Sequence, residues 1–490
     1  MSAIESGTMV SIVPNTKLLE SLRNNTLSNV EAIADLVDNA LDLDVDASRI
    51  IITKTPDRLV IADNGTGMGR DVLIDAMRLG SSGRGEATHT DLGLFGIGLK
   101  NSSMALGRLL KIITKAEGGY FTAYYDLDSI GQSGKFMIPL DHSSPQDVRE
   151  FRNYIRSSNT GTVLIIENLD RITYKAEGAF VNAVVKHLGE VFRFFIKDGK
   201  EILVNDRKVE PVEPLKAYYT TNETEINDQM YEFEKPDGDK FMLRIKIGFL
   251  PSPLDSEVTR HGVNIENQGF YGLRNNRQIF RATWFSHTFR AKHNSLNRVR
   301  AEIFFTGDAD DIFRINFEKN HFDLPQWFVD SLKQKVGGVI TSLADRANNE
   351  SKINTRKKDE DQDRIKEEID AKSNRVAPLK HAVDNEPTAP DEHGGKKKRE
   401  LIDFAEGRLP MSYICSFEDM GNGALRIRWN VDHAFHNFYA SQDISTKAAF
   451  SKLLLAMGRA IIRLSDDEGY APMMNDFQIK VGDEFRKLMD

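Results

Sequence analysis

Asp35, Asn39 and Asp42 set a carboxylate, an amide and a second carboxylate at i, i+4 and i+7, one face of a helix. An asparagine amide oxygen is a hard donor suited to Mg²⁺, an ion that keeps several waters. A carboxylate one turn earlier can orient and deprotonate a water for attack on a γ-phosphate. Asp63 opens the run DNGTGM, with Gly65, Gly67 and Met68 behind it. Its carboxylate can accept a hydrogen bond from an exocyclic amine, which favours adenine over guanine, and the glycines permit a sharp turn and the close approach of a flat base. Gly93, Gly96 and Gly98 of GLFGIGLK precede a helix start, so backbone amides and a positive helix end can face phosphates, with Lys100 nearby. Thr162, in NTGTV, adds one hydroxyl on a strand. Each feature alone also fits a bland role: a solvated helix face, turn glycines, a β-former. Together they point to one nucleotide site.

The elements that position these groups are legible around them. Ser28 and Glu31 form a capping box at the start of the first helix, and Ile33, Leu36, Val37, Ala40 and Leu41 recur at helical spacing as its buried stripe. RIIITK and RLVIAD, separated by Thr55-Pro56-Asp57, read as a β-hairpin ending on Asp63. Residues 80–99 are dense in Gly, Ser and Thr, and long enough to be a lid. Residues 109–114, 120–125 and 158–169 read as further strands, the last carrying Thr162.

In this order the four motifs resemble those of the GHKL ATPases, a superfamily that includes type II topoisomerases, MutL mismatch-repair proteins, heat-shock chaperones, histidine kinases and microrchidia proteins. The resemblance covers about residues 28–169, and AIADLVDNALD with GLFGIGLKNSSM looks nearest the microrchidia branch. It implies a Bergerat-type α/β sandwich that binds ATP with Mg²⁺. It implies Asn39 on the metal, Asp63 on the adenine amine with Thr162 supporting through water, and residues 93–100 on the phosphates. Asp42, Gly65, Gly67, Met68, Ser81, Ser82, Phe95, Ile97 and Leu99 fall within the same motifs as further nucleotide contacts. The family's water-activating base is Glu, where this chain has Asp35, one methylene shorter. A misplacement of about 1 Å can cost on the order of 10²-fold, so slow hydrolysis is expected. Residues 216–335 resemble the transducer domain of three of those branches, and NFEKNHFDL resembles the microrchidia segment whose lysine reaches the γ-phosphate, making Lys319 the second catalytic candidate.

Length and composition organise the rest. At 490 residues the expected α/β architecture is an ATP-binding domain over 1–215 and a transducer-like domain over 216–335. A charged helix or weak coiled coil follows over 336–372, then a Pro- and Lys-rich linker over 373–400 and a small C-terminal α/β domain over 401–490. One cysteine, Cys415, excludes a disulfide framework or a cysteine-based zinc module and suits a reducing cytoplasm. No apolar run reaches the roughly 20 residues of a membrane span, and the first residues show no signal-peptide pattern. The net charge is −8, yet residues 267–301 hold Arg274, Arg277, Arg281, Arg290, Lys292, Arg298 and Arg300 and aromatics between them. That stretch reads either as a nucleic-acid surface or as a strand packing its aromatics into a core. The expected whole is an ATP-gated homodimeric clamp on DNA. The other class is a nucleotide-sensing assembly protein with little turnover, holding a protein client through residues 401–490. Only 27 residues precede the first motif, too few for a histidine kinase's phosphoacceptor helices, and no strand-passage module follows residue 330.

Overall fold

The computed structural model describes residues 16–23, 27–79, 98–156, 158–174, 176–252, 262–285, 289–313, 324–372, 375–376, 400–420, 424–465 and 470–489. The first sheet is built from β1 (Arg49–Lys54), β2 (Arg58–Asp63), β3 (Leu109–Ala116), β4 (Gly119–Asp126), β5 (Leu140–His142), β6 (Gly161–Glu167), β7 (Glu201–Val204) and β8 (Arg207–Lys208). Their order is β5-β4-β3-β6-β2-β1-β7-β8, antiparallel except where β1 meets β7. Helices α1 (Lys17–Arg23), α2 (Asn29–Leu41), α3 (Arg70–Met77), α4 (Gly98–Met104), α5 (Leu127–Ser133), α6 (Pro145–Tyr154), α7 (Glu177–Val191) and α8 (Arg193–Lys197) surround it.

Strand alternation divides the core. Leu59 and Ile61 of β2, Ile112 of β3 and Leu164 of β6 point to the face covered by α2, α4 and α7. Val60, Ala62, Ile113, Val163 and Ile165 point the other way, onto Phe151 of α6. This two-faced burial is the α/β sandwich expected for residues 28–169. The Ser28–Glu31 capping box forms as read, each side chain meeting the other's backbone amide.

A second sheet, β9 (Glu225–Glu234), β10 (Lys240–Phe249), β11 (Gly269–Arg274), β12 (Arg277–Thr283) and β13 (Val299–Phe305), runs in the order β12-β11-β13-β10-β9. Helix Gln326–Asp370 lays Phe328, Leu332, Val336 and Ile340 against it. This is one 45-residue helix, about 68 Å long at 1.5 Å per residue. It contains the charged helix read over 336–372; its start belongs to the second core, and Ile365 and Ile369 near its end are buried in a third. That third core joins the strands β14 (Ile402–Gly407), β15 (Cys415–Asp419) and β16 (Leu425–Asn430), in the order β14-β16-β15, to helices Ala434–Ser441, Ile444–Ser465 and Ala471–Met489. Among the described residues no helix is long and apolar enough to cross a membrane.

Candidate nucleotide site

Register, more than any single residue, builds the wall of the site. Asp63 ends β2 on the same sheet face as Leu59 and Ile61, the face beneath α2. Its cross-strand partner on β6 is Thr162, whose partner on β3 is Thr114. An acid and two hydroxyls therefore lie in one row across three strands. The Thr114 Oγ1 lies 3.3 Å from the Thr162 Oγ1, donates to the Gly161 carbonyl at 3.2 Å and accepts from the Met68 amide at 2.8 Å. Thr114 escaped the sequence reading because a threonine inside LLKIITKA looks like any β-former. Only the pairing of β3 with β6 reveals it.

Burial pushes the Asp63 carboxyl up to about 6, against the opposing pull of hydrogen bonds from the Gly65 and Thr162 backbone. Its folded pKa lies above the usual carboxylate value. The group thus favours the folded state most below pH 3.8, and that contribution is lost as pH rises from there to about 6. Acceptance of an amine hydrogen bond has the opposite dependence, because it needs the carboxylate. If this carboxylate accepts an adenine amine, a preference for an adenine over a hypoxanthine nucleotide is expected to shrink as pH falls below about 6. Competition binding of ATP and ITP between pH 7.5 and 5.5 would check this, and a constant preference would remove Asp63 from base recognition.

The glycines of DNGTGM meet the protein's own chain. A Cβ on Gly65 would lie 2.4 Å from Val45 Cγ1, and one on Gly67, at φ +68°, only 1.9 Å from the Lys115 carbonyl oxygen. Both glycines let the loop lie flat on its neighbours, and Thr66 bonds the Val45 carbonyl at 3.1 Å. This contact carries the loop against the end of α2.

On α2, Asn39 is exposed, and its Nδ2 donates to the Asp35 carbonyl at 3.2 Å, which directs the amide oxygen outward. Asp35 is buried: its Oδ2 accepts from Ser102 of α4 at 3.1 Å and its Oδ1 lies 3.4 Å from Arg277 of the second sheet. Asp42 is the helix C-cap, buried, with Oδ1 accepting from the Leu43 amide at 3.0 Å, so it shapes the turn after α2 that leads to β1. Lys100 is also turned inward. Its Nζ donates to the Ala76 carbonyl at 2.9 Å, and burial lowers its pKa to about 8. Beside it the buried Asn101 Oδ1 has no hydrogen-bond partner among the described residues. Gly98 and Leu99 open α4, and among the described residues nothing lies within 4 Å of where a Gly98 Cβ would stand. The candidates Ser81, Ser82, Gly93, Phe95, Gly96, Ile97 and Lys319 lie outside the described residues.

Burial divides the cationic stretch between its two readings. Arg274 pairs with Asp310 at 2.6 Å, Arg277 crosses to α2, and Arg300 spends its guanidinium on the carbonyls of Asn297, Val299 and Gly262. All three side chains are at most 5% exposed, which removes them from a solvent-facing nucleic-acid surface. Arg298 pairs with Glu350 and lies over the Phe249 ring. Arg281 and Lys292 stay exposed and Arg290 half-buried. The aromatics Phe270, Phe280, Trp284, Phe285 and Phe289 form the second core. Sequence reading also passed over Asp38, which is 1% exposed and takes the Arg277 Nε at 2.8 Å on both carboxylate oxygens.

The oxygens of Asn39, Asp63, Thr114 and Thr162 are of the kind that could hold a magnesium nucleotide. Comparison with known proteins places an ATPase-like segment here. Residues 27–162 match the family described as histidine kinase-, DNA gyrase B- and HSP90-like ATPase. Over 102 residues the chain is 39% identical to the mouse MORC family CW-type zinc finger protein 3, covering 19% of this chain and 11% of the relative. It is 35% identical over 91 residues to the mouse ATPase MORC2B, covering 18% and 9%, and 33% identical over 106 residues to the Caenorhabditis elegans ATPase morc-1, covering 21% and 12%. The chain thus spans about a tenth of the length of the curated relatives it matches.

Proposed function

We propose that this chain, whose residues 27–162 form a domain of the histidine kinase-, DNA gyrase B- and HSP90-like ATPases with MORC proteins among its relatives, binds and slowly hydrolyses ATP to gate a homodimeric clamp. The observation that carries this reading is convergence. The Asp63–Thr162–Thr114 row, bonded to the 63–68 loop through Met68, lies on the sheet face that α2 and α4 cover, and α4 bonds Asp35 of α2 through Ser102.

In this reading Asp63 accepts the adenine amine, and Thr162, steadied by Thr114, supports it through water. Asn39 offers its outward amide oxygen to Mg²⁺. The metal neutralises phosphate charge when bound. Asp35 holds a water by one carboxylate oxygen and takes its proton. Lys100 exchanges its bond to the Ala76 carbonyl for phosphate oxygens, joined by the amides of residues 93–99. Lys319 reaches the same phosphates from the segment after β13 and reports their presence to the second domain.

The client proposed for the clamp is DNA, gripped through phosphates by Arg281, Arg290, Lys292 and the 396–399 run, and so salt-sensitive. A second reading, an ATP-dependent assembly protein with a protein client on residues 401–490, is favoured by the burial of Arg274, Arg277 and Arg300. Size-exclusion chromatography with and without a non-hydrolysable ATP analogue is expected to show a monomer-to-dimer shift. DNA binding at low salt with faster phosphate release supports the clamp on DNA, whereas a nucleotide-driven dimer indifferent to DNA supports the second reading. An unchanged elution volume refutes both.

A further inference from the structure

We propose that Arg277 is a positioning residue for Asp35, through which the second sheet makes ATP turnover conditional on its own docking; this rests on the ATPase reading above. Arg277 is set by a tight turn. Asn275 and Asn276, at φ 47° and 67°, are both left-handed, the signature of a two-residue hairpin connection, and Arg277 is the first residue after them. Arg274, its cross-strand partner, is fixed by Asp310 within the same domain. The hairpin tip is therefore rigid, and it delivers one guanidinium across the seam between the two domains.

That guanidinium meets α2 at two places one turn apart. Nε lies 2.8 Å from both oxygens of Asp38, and Nη2 lies 3.4 Å from Asp35 Oδ1. Nη1 is spent on the Gln278 carbonyl of its own strand at 3.1 Å. Asp35 and Asp38 are 5% and 1% exposed. Two carboxylates buried within a helical turn repel one another, and a buried charge stripped of its partner is strongly unfavourable, so the cation between them stabilises both. His187 of α7, at the same seam, does not share this work: burial and the Arg277 charge lower its pKa to about 4, leaving it neutral.

The consequence is specific to one acid. With the second sheet docked, Asp35 is held by Ser102 from its own domain and by Arg277 from the other. With the sheet displaced, one of these holds is lost. Asn39, Asp63, Thr114 and Thr162 make their contacts within the first domain, so nucleotide binding does not pass through Arg277. Docking itself has a second support. Arg193 of α8 bonds Glu302 Oε1 at 2.6 Å and Gln278 Oε1 at 2.7 Å, both on the second sheet. A change at Arg277 therefore leaves the domains attached.

The test uses the full chain carrying Arg277→Lys or the double change Arg277→Gln/Asp38→Asn, the latter removing the Asp38 charge together with the cation it faces. The double variant is expected to lose about tenfold or more in kcat. Its KM and its affinity for a non-hydrolysable ATP analogue should stay within about twofold. Lysine, which keeps the charge but cannot fork, should fall between. Without nucleotide, the amides of residues 35–39 should exchange faster in the double variant than in wild type. Wild-type kcat in the double variant, or kcat and binding lost together, overturns the proposal, as does unchanged exchange in α2. If the wild-type chain neither binds nor hydrolyses ATP, it is the reading of the site that fails, and exchange in α2 still decides whether Arg277 holds the helix.

Discussion

Replacing Asp35 by Asn is expected to lower ATP turnover by about 10²-fold or more, the range for loss of a positioned general base, while leaving nucleotide affinity within a few-fold. Asn is isosteric and keeps an oxygen for Ser102, so packing in this buried position survives. What disappears is the group that takes the proton. The opposite change is more informative. Asp35→Glu extends the carboxylate by one methylene, up to about 1.5 Å, and restores the acid usual in the superfamily that the motifs resemble. If the short side chain limits hydrolysis, kcat should rise, by about tenfold, since geometry at the level of 1 Å carries effects of that size or larger. The gain is opposed by crowding, because the side chain is 5% exposed and already touches Ser102 and Arg277. Single-turnover phosphate release with wild type, Asp35→Asn and Asp35→Glu separates these. If Asn turns over like wild type, Asp35 is not the base, and the chain's acid lies elsewhere.

How far the sequence led depends on how far apart the partners lie. The α2 helix, its capping box and the hairpin ending on Asp63 were legible because caps, turns and periodicity act over a few residues. Thr162 was legible only through the resemblance, and Thr114 not at all, since its meaning comes from two strand registers. The sequence leaves Arg277 open between a nucleic-acid surface and a core-packing strand, because nothing in residues 267–301 supplies an acid. Its partners stand 239 and 242 residues away on α2, and that of Arg274 stands 36 residues on. A cluster of arginines without local acids is ambiguous for this reason: its neutralising carboxylates need not be near in sequence. The long helix was legible as helical and charged, but its exposed middle dominates the composition, so the buried residues at its two ends, which serve different cores, do not stand out.

Gly67→Ala should be the most damaging small substitution in the candidate site. Gly67 sits at φ +68°, where an alanine carries strain of about 1 kcal/mol or more. The larger effect is steric: the new Cβ would stand 1.9 Å from the Lys115 carbonyl oxygen and 3.0 Å from that of Gly161. Both obstacles are backbone, so neither can swing aside as a side chain tip would. The loop must lift, and lifting breaks the Met68 amide bond to Thr114 and disturbs the hydroxyl row behind Asp63. A destabilisation of about 3 kcal/mol or more of the N-terminal domain is expected, with loss of ATP binding. Gly69→Ala, two residues on, is the control. Among the described residues nothing lies within 4 Å of its Cβ, and the residue is an extended helix N-cap at φ −70°. Alanine caps less well than glycine, so this change should cost about 1 kcal/mol or less. Hydrogen exchange in β3 and β6, read beside nucleotide affinity, distinguishes the two outcomes. If Gly67→Ala matches Gly69→Ala in both, the loop does not rest on β3, and the hydroxyl row is not what holds the base-recognition end of the site.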